Sequence, residues 1–179
     1  LNAALDITAG NLSLVSADEL EFGLDGHIAM NTSGRTLDLR AAGGITMVDG
    51  QTVSTTNGDV RMGTDDGDIT LGRISAGLGS VALIASGGSI VDGGDTGGAD
   101  VKAESLILSS GENIGSGTDF IETDIVELAL STARALGAFI DEIDNLIVTE
   151  VDVVIDSIAF DGTTFSSNEQ LADMVSSNG

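Results

Sequence analysis

The chain's most concentrated chemical groups are carboxylates. Asp65, Asp66 and Asp68 crowd the glycine corner in "GTDDGDITL", and Asp92, Asp95 and Asp100 do the same in "VDGGDTGGAD". Oxygen ligands at this density suit calcium, which takes six to eight oxygens at about 2.3–2.6 Å. The spacing follows neither the twelve-residue loop that closes on a bidentate Glu nor the GGxGxDxUx nonapeptide of calcium-binding rolls. Two readings therefore stand: acidic corners solvated by water, or ligands for a calcium ion that the fold does not require. No cofactor is needed on either reading. If the acids stack at about 5 Å, each like-charged pair costs under about 1 kcal/mol in water and more where water is excluded. Cations should then stiffen the structure even without designed sites.

Other chemistries have less to work with. His27 is the single histidine and occupies a polar position, so it reads as a surface residue rather than a catalytic base. No Gly-x-Ser-x-Gly elbow is present, and the absence of cysteine removes thiolate nucleophiles, thiolate metal sites and disulfides. The basic residues are Arg35, Arg40, Arg61, Arg73, Lys102 and Arg134. A lyase acting on acidic polysaccharide would have to gather several of them on one face, and the spacing does not do so. An ice-binding face would need Thr-x-Thr ladders, whereas "QTVSTT" stands alone. The reading is of a protein without a catalytic centre.

Composition supports a packed but unusual core. The chain has 179 residues, 41% of them apolar and only 3% aromatic, with 25 glycines and no proline. Small aliphatic side chains must do the packing, and frequent turns imply short elements. Twenty-nine acidic residues against six basic ones give a net charge of −23. Nucleic acid and anionic membranes both require a basic footprint, so neither is an expected partner. No apolar run approaches the roughly 20 residues of a helical membrane span, and the start "LNAALDITAG" has neither Met nor a basic leader. It reads as a piece of a longer, processed chain.

These chemical groups sit on a repeat. The unit Gly-polar-aliphatic-x-aliphatic recurs as "GNLSL" at 10, "GHIAM" at 26, "GGITM" at 43, "GDVRM" at 58, "GDITL" at 67, "GSVAL" at 79 and "GSI" at 88. Looser copies follow: "RTLDL" at 35, "ESLILS" at 104, "IVELALS" at 125 and "NLIVTEV" at 145. Aliphatic residues at i and i+2 have the period of a strand with one buried face. Units nine residues apart, with no helix between them, exclude helical crossovers and favour a chain that turns the same way at each corner. The expectation is an all-β, right-handed parallel β-helix of roughly eight coils with about 20 residues per coil. Inward positions are Leu12, Leu14, Ile28, Met30, Ile45, Met47, Val60, Met62, Ile69, Leu71, Val81 and Leu83. Outward positions are free to vary, and glycine corners are expected where φ turns positive.

From residue 58 to 130 the order "GDITL", "GSIVD", "ADVKAESLILSSGENIG" and "TDIVELAL" resembles the repeat regions of filamentous-haemagglutinin-like adhesins and related giant secreted bacterial surface proteins. The resemblance implies a right-handed parallel β-helix, export to the bacterial cell surface and a role as stalk or adhesive shaft. Its expected partners are neighbouring repeats or copies of the same protein, and glycans or proteins on host or neighbouring cells. The chain departs from that pattern at Phe120, where the family carries proline, and at "TARALGA" (132–138), where it carries a short turn.

Two segments admit more than one structure. Over residues 124–144, a helical period competes with "VELAL" and "NLIV" strands joined by a loop around 131–137. Residues 1–165 read as the β-helix. Residues 166–179 read as a cap or linker, in which "SSNEQLADMV" has the form of a short helix with Ser167 as N-cap and Gln170 three residues on. Such a helix would cover an open sheet edge. Attachment is the favoured function; a polymerising fibre subunit is the alternative, ahead of a polysaccharide-binding or polysaccharide-cleaving β-helix.

Overall fold

The computed structural model describes residues 1–94, 98–133 and 137–176, the last three by backbone alone. They are all-β, without a helix among them. The chain winds through about six coils, each laying one strand on each of two or three parallel sheets. The first four coils are complete triangles. Their strands are β1 (Ala4–Ile7), β2 (Leu12–Ser16) and β3 (Leu20–Glu21); β4 (His27–Met30), β5 (Leu37–Ala41) and β6 (Ile45–Thr46); β7 (Thr52–Thr55), β8 (Val60–Thr64) and β9 (Ile69–Leu71); and β10 (Arg73–Ser75), β11 (Ser80–Ala85) and β12 (Ile90–Asp92). Coil five has β13 (Val101–Lys102) and β14 (Ser105–Ser110), and coil six has β15 (Ile121–Asp124) and β16 (Glu127–Thr132). Their third sides are single bridges, Ile90 to Ile114 to Ala138. A partial turn, β17 (Ile140–Glu142) and β18 (Ile147–Val148), lies on top.

First strands of successive coils form sheet A, second strands sheet B and third strands sheet C. The glycine-led units at 58 and 67 are β8 and β9, one on sheet B and the next on sheet C of the same coil. Residues stacked one coil apart differ by 25 in sequence at His27 and Thr52, 21 at Asp59 and Ser80, and 19 at Thr123 and Glu142. The count falls short of the eight coils expected, because the sheet A corners take extra residues and the chain leaves the coil after Val148.

Inward side chains stack in register. Leu37, Val60, Val81, Leu106 and Leu128 form one column on sheet B, and Leu39, Met62, Leu83, Leu108 and Leu130 form its neighbour. Ile45, Ile69, Ile90 and Ile114 form the column on sheet C, and Ile28, Val53, Ile74 and Val101 that on sheet A. All are buried in one continuous core, and each contributes about 1.5–3 kcal/mol. Of the expected inward residues, Leu12 and Leu14 are only partly buried, because they belong to the first coil and have a neighbour on one side only.

Corner chemistry explains why "TTNGDVRMGTDDGDITL" repeats itself. Thr55 Oγ1 donates to the Gly58 carbonyl, and Thr64 Oγ1 donates to the Gly67 carbonyl at 2.6 Å, so each threonine closes the corner ahead of its strand. The following aspartates bond upward: Asp59 Oδ1 accepts the Ser80 N–H at 2.9 Å, and Asp68 Oδ1 accepts the Ser89 N–H at 2.7 Å. Positive φ is not the reason for these glycines, as the repeat suggested. Gly58 and Gly67 lack it; instead a Cβ on Gly67 would lie 2.5 Å from the Gly44 nitrogen, and one on Gly79 would lie 2.5 Å from the Gly58 oxygen. The coils approach too closely there for any side chain.

Residues 124–144 are strands and connections rather than a helix, with Arg134, Ala135 and Leu136 outside the described residues. The short C-terminal helix is likewise absent. Ser167 and Gln170 instead belong to β20 (Thr164–Leu171), which pairs antiparallel with β19 (Val151–Ile158); Ser167 faces Ile155 and Gln170 faces Asp152. The helix-cap pattern is local, whereas β19 offers an eight-residue partner and a buried face, and tertiary pairing prevails. A last strand, β21 (Met174–Ser176), pairs with Leu130–Thr132 of β16 beside β18.

The hairpin covers the outer face of sheet B. The middle residues of six stacked strands form one outward column, Ser13, Asp38, Arg61, Ala82, Ile107 and Ala129. Its upper half is apolar. Val151, Val153 and Ile155 of β19 bury against Ala82, Ile107 and Ala129 in a second hydrophobic cluster. Outward positions on these coils are therefore constrained by the hairpin rather than free.

Candidate functional site

The acids of the two sequence clusters end up in different environments. Asp65, Asp66 and Asp68 are exposed at the corner between β8 and β9. The Asp65 and Asp66 backbone N–H groups bond to the Ala41 and Ala42 carbonyls of the coil below, at 3.2 and 3.0 Å, and Asp68 is held by Ser89 as described. They form a corner of the ladder.

Asp92 and Asp100, by contrast, are buried. Asp92 ends β12, and Asp100 precedes β13 one coil up; Asp95 lies outside the described residues. The structure adds a third acid, Glu122 of β15, in the coil above Asp100. One carboxylate oxygen from each of Asp92, Asp100 and Glu122 lies within 4.8 Å of the other two, and this is the acidic group of that kind among the described residues. Glu122 lies 22 positions beyond Asp100, too far for local spacing to reveal; once the coil length is known, its position one turn after Asp100 places it there.

Backbone bonds fix the geometry. The Asp100 N–H donates to the Glu122 carbonyl at 2.8 Å, the Glu122 N–H donates to Asp100 Oδ2 at 3.0 Å, and the Ile74 N–H donates to the Asp100 carbonyl at 2.7 Å. Asp92 Oδ1 accepts the Gly94 N–H at 2.8 Å, while Asp92 Oδ2 is buried without a hydrogen-bond partner. Burial pushes the Asp100 carboxyl up to about 8; the Glu122 N–H opposes this, and the negative charges of Asp92 and Glu122 add to it. Arg73 lines the adjoining cavity with Asp49, Thr52 and Asp100. The arrangement is an acceptor-rich site that favours uptake of positive charge.

The second polar constellation lies under the hairpin. Arg61 Nε donates to Asp38 Oδ1 at 2.9 Å, and its terminal nitrogens reach Ser157 Oγ at 3.2 Å, Ser167 Oγ at 2.9 Å and Glu169 Oε1 at 2.6 Å. Ser157 Oγ donates to Asp38 Oδ2 at 2.7 Å. Arg40 Nε approaches the same Oδ2 at 3.2 Å, close enough for charge attraction but without hydrogen-bond alignment. Burial alone would lower the Arg61 pKa, but Asp38 and Glu169 more than offset it and the guanidinium is held above its ordinary value. Arg61 thus fastens hairpin to coil.

The remaining sequence candidates are dispersed. His27 is half-buried on sheet A, and its Nδ1 accepts the Thr52 N–H at 3.3 Å. Lys102 pairs with Asp124, Arg134 is outside the described residues, and Arg40 and Arg61 meet on Asp38 and line a cavity of about 380 Å³ beside Glu169. No protein-family model, curated protein or solved structure matches the chain.

Proposed function

We propose that the chain is a stretch of shaft in a bacterial surface fibre or large exported adhesin, acting outside the cell in attachment to other cells. The observation that carries this reading is the in-register stacking of like residues over about six coils, which makes a rod with a continuous, fixed interior. The Gly-polar-aliphatic-x-aliphatic units that resemble filamentous-haemagglutinin-like repeats are the strands of that rod. The coil is right-handed on this reading, the hand of nearly all parallel crossover connections. Its partners are neighbouring repeats and surface glycans or proteins, and it carries no catalytic centre.

A second reading, a subunit that polymerises end to end, is favoured by the first coil. Leu5, Ile7, Leu12 and Leu14 pack on the core but are only partly buried, and the lower edge of this coil offers unpaired strand groups to a further coil. Beads coated with the purified chain, mixed with bacterial and host cells, test attachment; retention on cells beyond that of uncoated beads is expected, and equal retention counts against it. Sedimentation over a range of concentrations separates a shaft segment, which stays monomeric, from a polymerising subunit.

A further inference from the structure

We propose that Asp92, Asp100 and Glu122 bind one hard divalent cation of the calcium class, which ties coils four, five and six of the β-solenoid together. The inference is independent of the adhesive reading and stands on the geometry of the three acids.

Two of the three carboxylates are removed from solvent, at 9% exposure for Asp92 and 3% for Asp100. Buried carboxylates without compensation are costly, and structures answer this with a partner or a metal. The partner is missing at one atom: Asp92 Oδ2 is buried and bonded to nothing, on a side chain whose other oxygen is already taken by the Gly94 N–H. An unmade bond to a buried acceptor costs about 1–3 kcal/mol, more for a charged one. A proton on Asp100 neutralises one acid and leaves Asp92 Oδ2 as it was; a divalent ion among the three serves all of them. Arg73, one coil below Asp100, contributes one positive charge to a neighbourhood that also contains Asp49, and it does not reach Asp92 Oδ2.

The donor set suits a hard ion. Donors within 4.8 Å of one another can surround one centre with bonds of about 2.3–2.6 Å, where opposed ligands lie up to about 5 Å apart. All three donors are hard oxygens and no imidazole or thiolate is near, which disfavours zinc and copper. The acids are set by strand register, since the Glu122 N–H bonds Asp100 Oδ2 and the Asp100 N–H bonds the Glu122 carbonyl; the site is therefore organised before the ion arrives.

The test is calorimetric titration of calcium into the chelator-treated chain in physiological salt, with thermal melting in parallel. One ion per chain and a raised melting temperature are expected. Asp92→Asn and Glu122→Gln should weaken binding by at least the roughly 10- to 100-fold that loss of an outer-shell partner costs, while Asp65→Asn with Asp66→Asn should leave it unchanged. Both ligand variants relieve like-charge repulsion and should fold without the ion, which circular dichroism in chelator checks. Should either fail to fold, amide exchange of the unsubstituted chain decides: calcium should slow exchange at Gly94 and Glu122 ahead of the rest. Absence of binding, binding that survives both ligand substitutions, loss of binding in the Asp65/Asp66 variant, or unchanged exchange at Gly94 and Glu122 would each overturn the proposal.

Discussion

Arg61 and Asp38 stand one coil apart on the outer face of sheet B, joined Nε to Oδ1 at 2.9 Å, and both are sealed from solvent by the hairpin that crosses them. Ser157 and Glu169 of that hairpin complete the network. A 106-residue separation between Arg61 and Ser167 is thereby closed through one guanidinium. The hairpin is thus fastened at one end by charge and at the other by Val151, Val153 and Ile155.

Replacing Arg61 should be expensive. Arg61→Met leaves Asp38 buried with the Ser157 hydroxyl and the half-exposed Arg40 as its remaining polar neighbours, and breaking a buried pair costs about 3–5 kcal/mol. Urea denaturation measures it. Adding Asp38→Leu to Arg61→Met should recover most of the loss, because an apolar pair of similar volume suits a buried site. A loss under about 1 kcal/mol for Arg61→Met would mean the network does not hold the hairpin.

The apolar end can be loosened selectively. Ile155 is fully buried, and Ile155→Ala should cost about 2–5 kcal/mol. Amide exchange should quicken across Val151–Ile158 and Thr164–Leu171 while Val60–Thr64 keeps its protection. A uniform increase through the coils would show instead that hairpin and rod unfold as one unit.

Glycine at the corners answers to space. Gly79→Ala drives a methyl to 2.5 Å from the Gly58 oxygen on the coil below, and overpacking of this kind costs about 1–3 kcal/mol. Gly10→Ala meets open space but has a φ of 82°, so its cost is backbone strain of about 1–2 kcal/mol. Gly10→Asn should soften that loss, since asparagine tolerates positive φ, whereas Gly79→Asn should be worse than Gly79→Ala. Melting temperatures of the four variants check the distinction.

The acid cluster sets a pH dependence in chelator. The Asp100 carboxyl titrates at about 8 in the folded chain, against about 3.9 for an unperturbed aspartate. Between these values the native state holds more protons than the unfolded state, so this group makes stability fall as pH rises from about 4 to 8. Asp100→Asn should flatten the melting temperature across that window and exceed the unsubstituted chain above pH 8. An identical pH profile for both proteins would exclude Asp100 as the source.

Much of this architecture was legible in the repeat, because a strand with one buried face writes its inward residues at i and i+2. Val60, Met62, Ile69 and Leu71 are read directly as core, and they are. Sheet A was harder to see: "TVST" follows Gln51 rather than a glycine, and "RIS" follows Gly72 but has Ile74 as its one large aliphatic residue; the corner before "TVST" is closed by the buried Gln51 amide, whose Nε2 donates to the Phe22 carbonyl at 2.6 Å. The hairpin's docking face was in the sequence but not recognised. In "LSL", "LDL" and "VRM" the middle residue is polar, whereas in "VAL", "LIL" and "LAL" it is apolar; that switch marks coils four to six as covered. The cation site was half legible. Asp92 and Asp100 share one loop, but Glu122 joins them only through the length of a coil, which local spacing does not reveal.

The most direct measurement is immunogold electron microscopy of cells that produce this protein, using antibody against the chain. Label distributed along filaments outside the cell envelope is the expected result. Label confined to the cell interior, or to discrete globular particles without filaments, would contradict the assignment of this β-solenoid to a surface shaft.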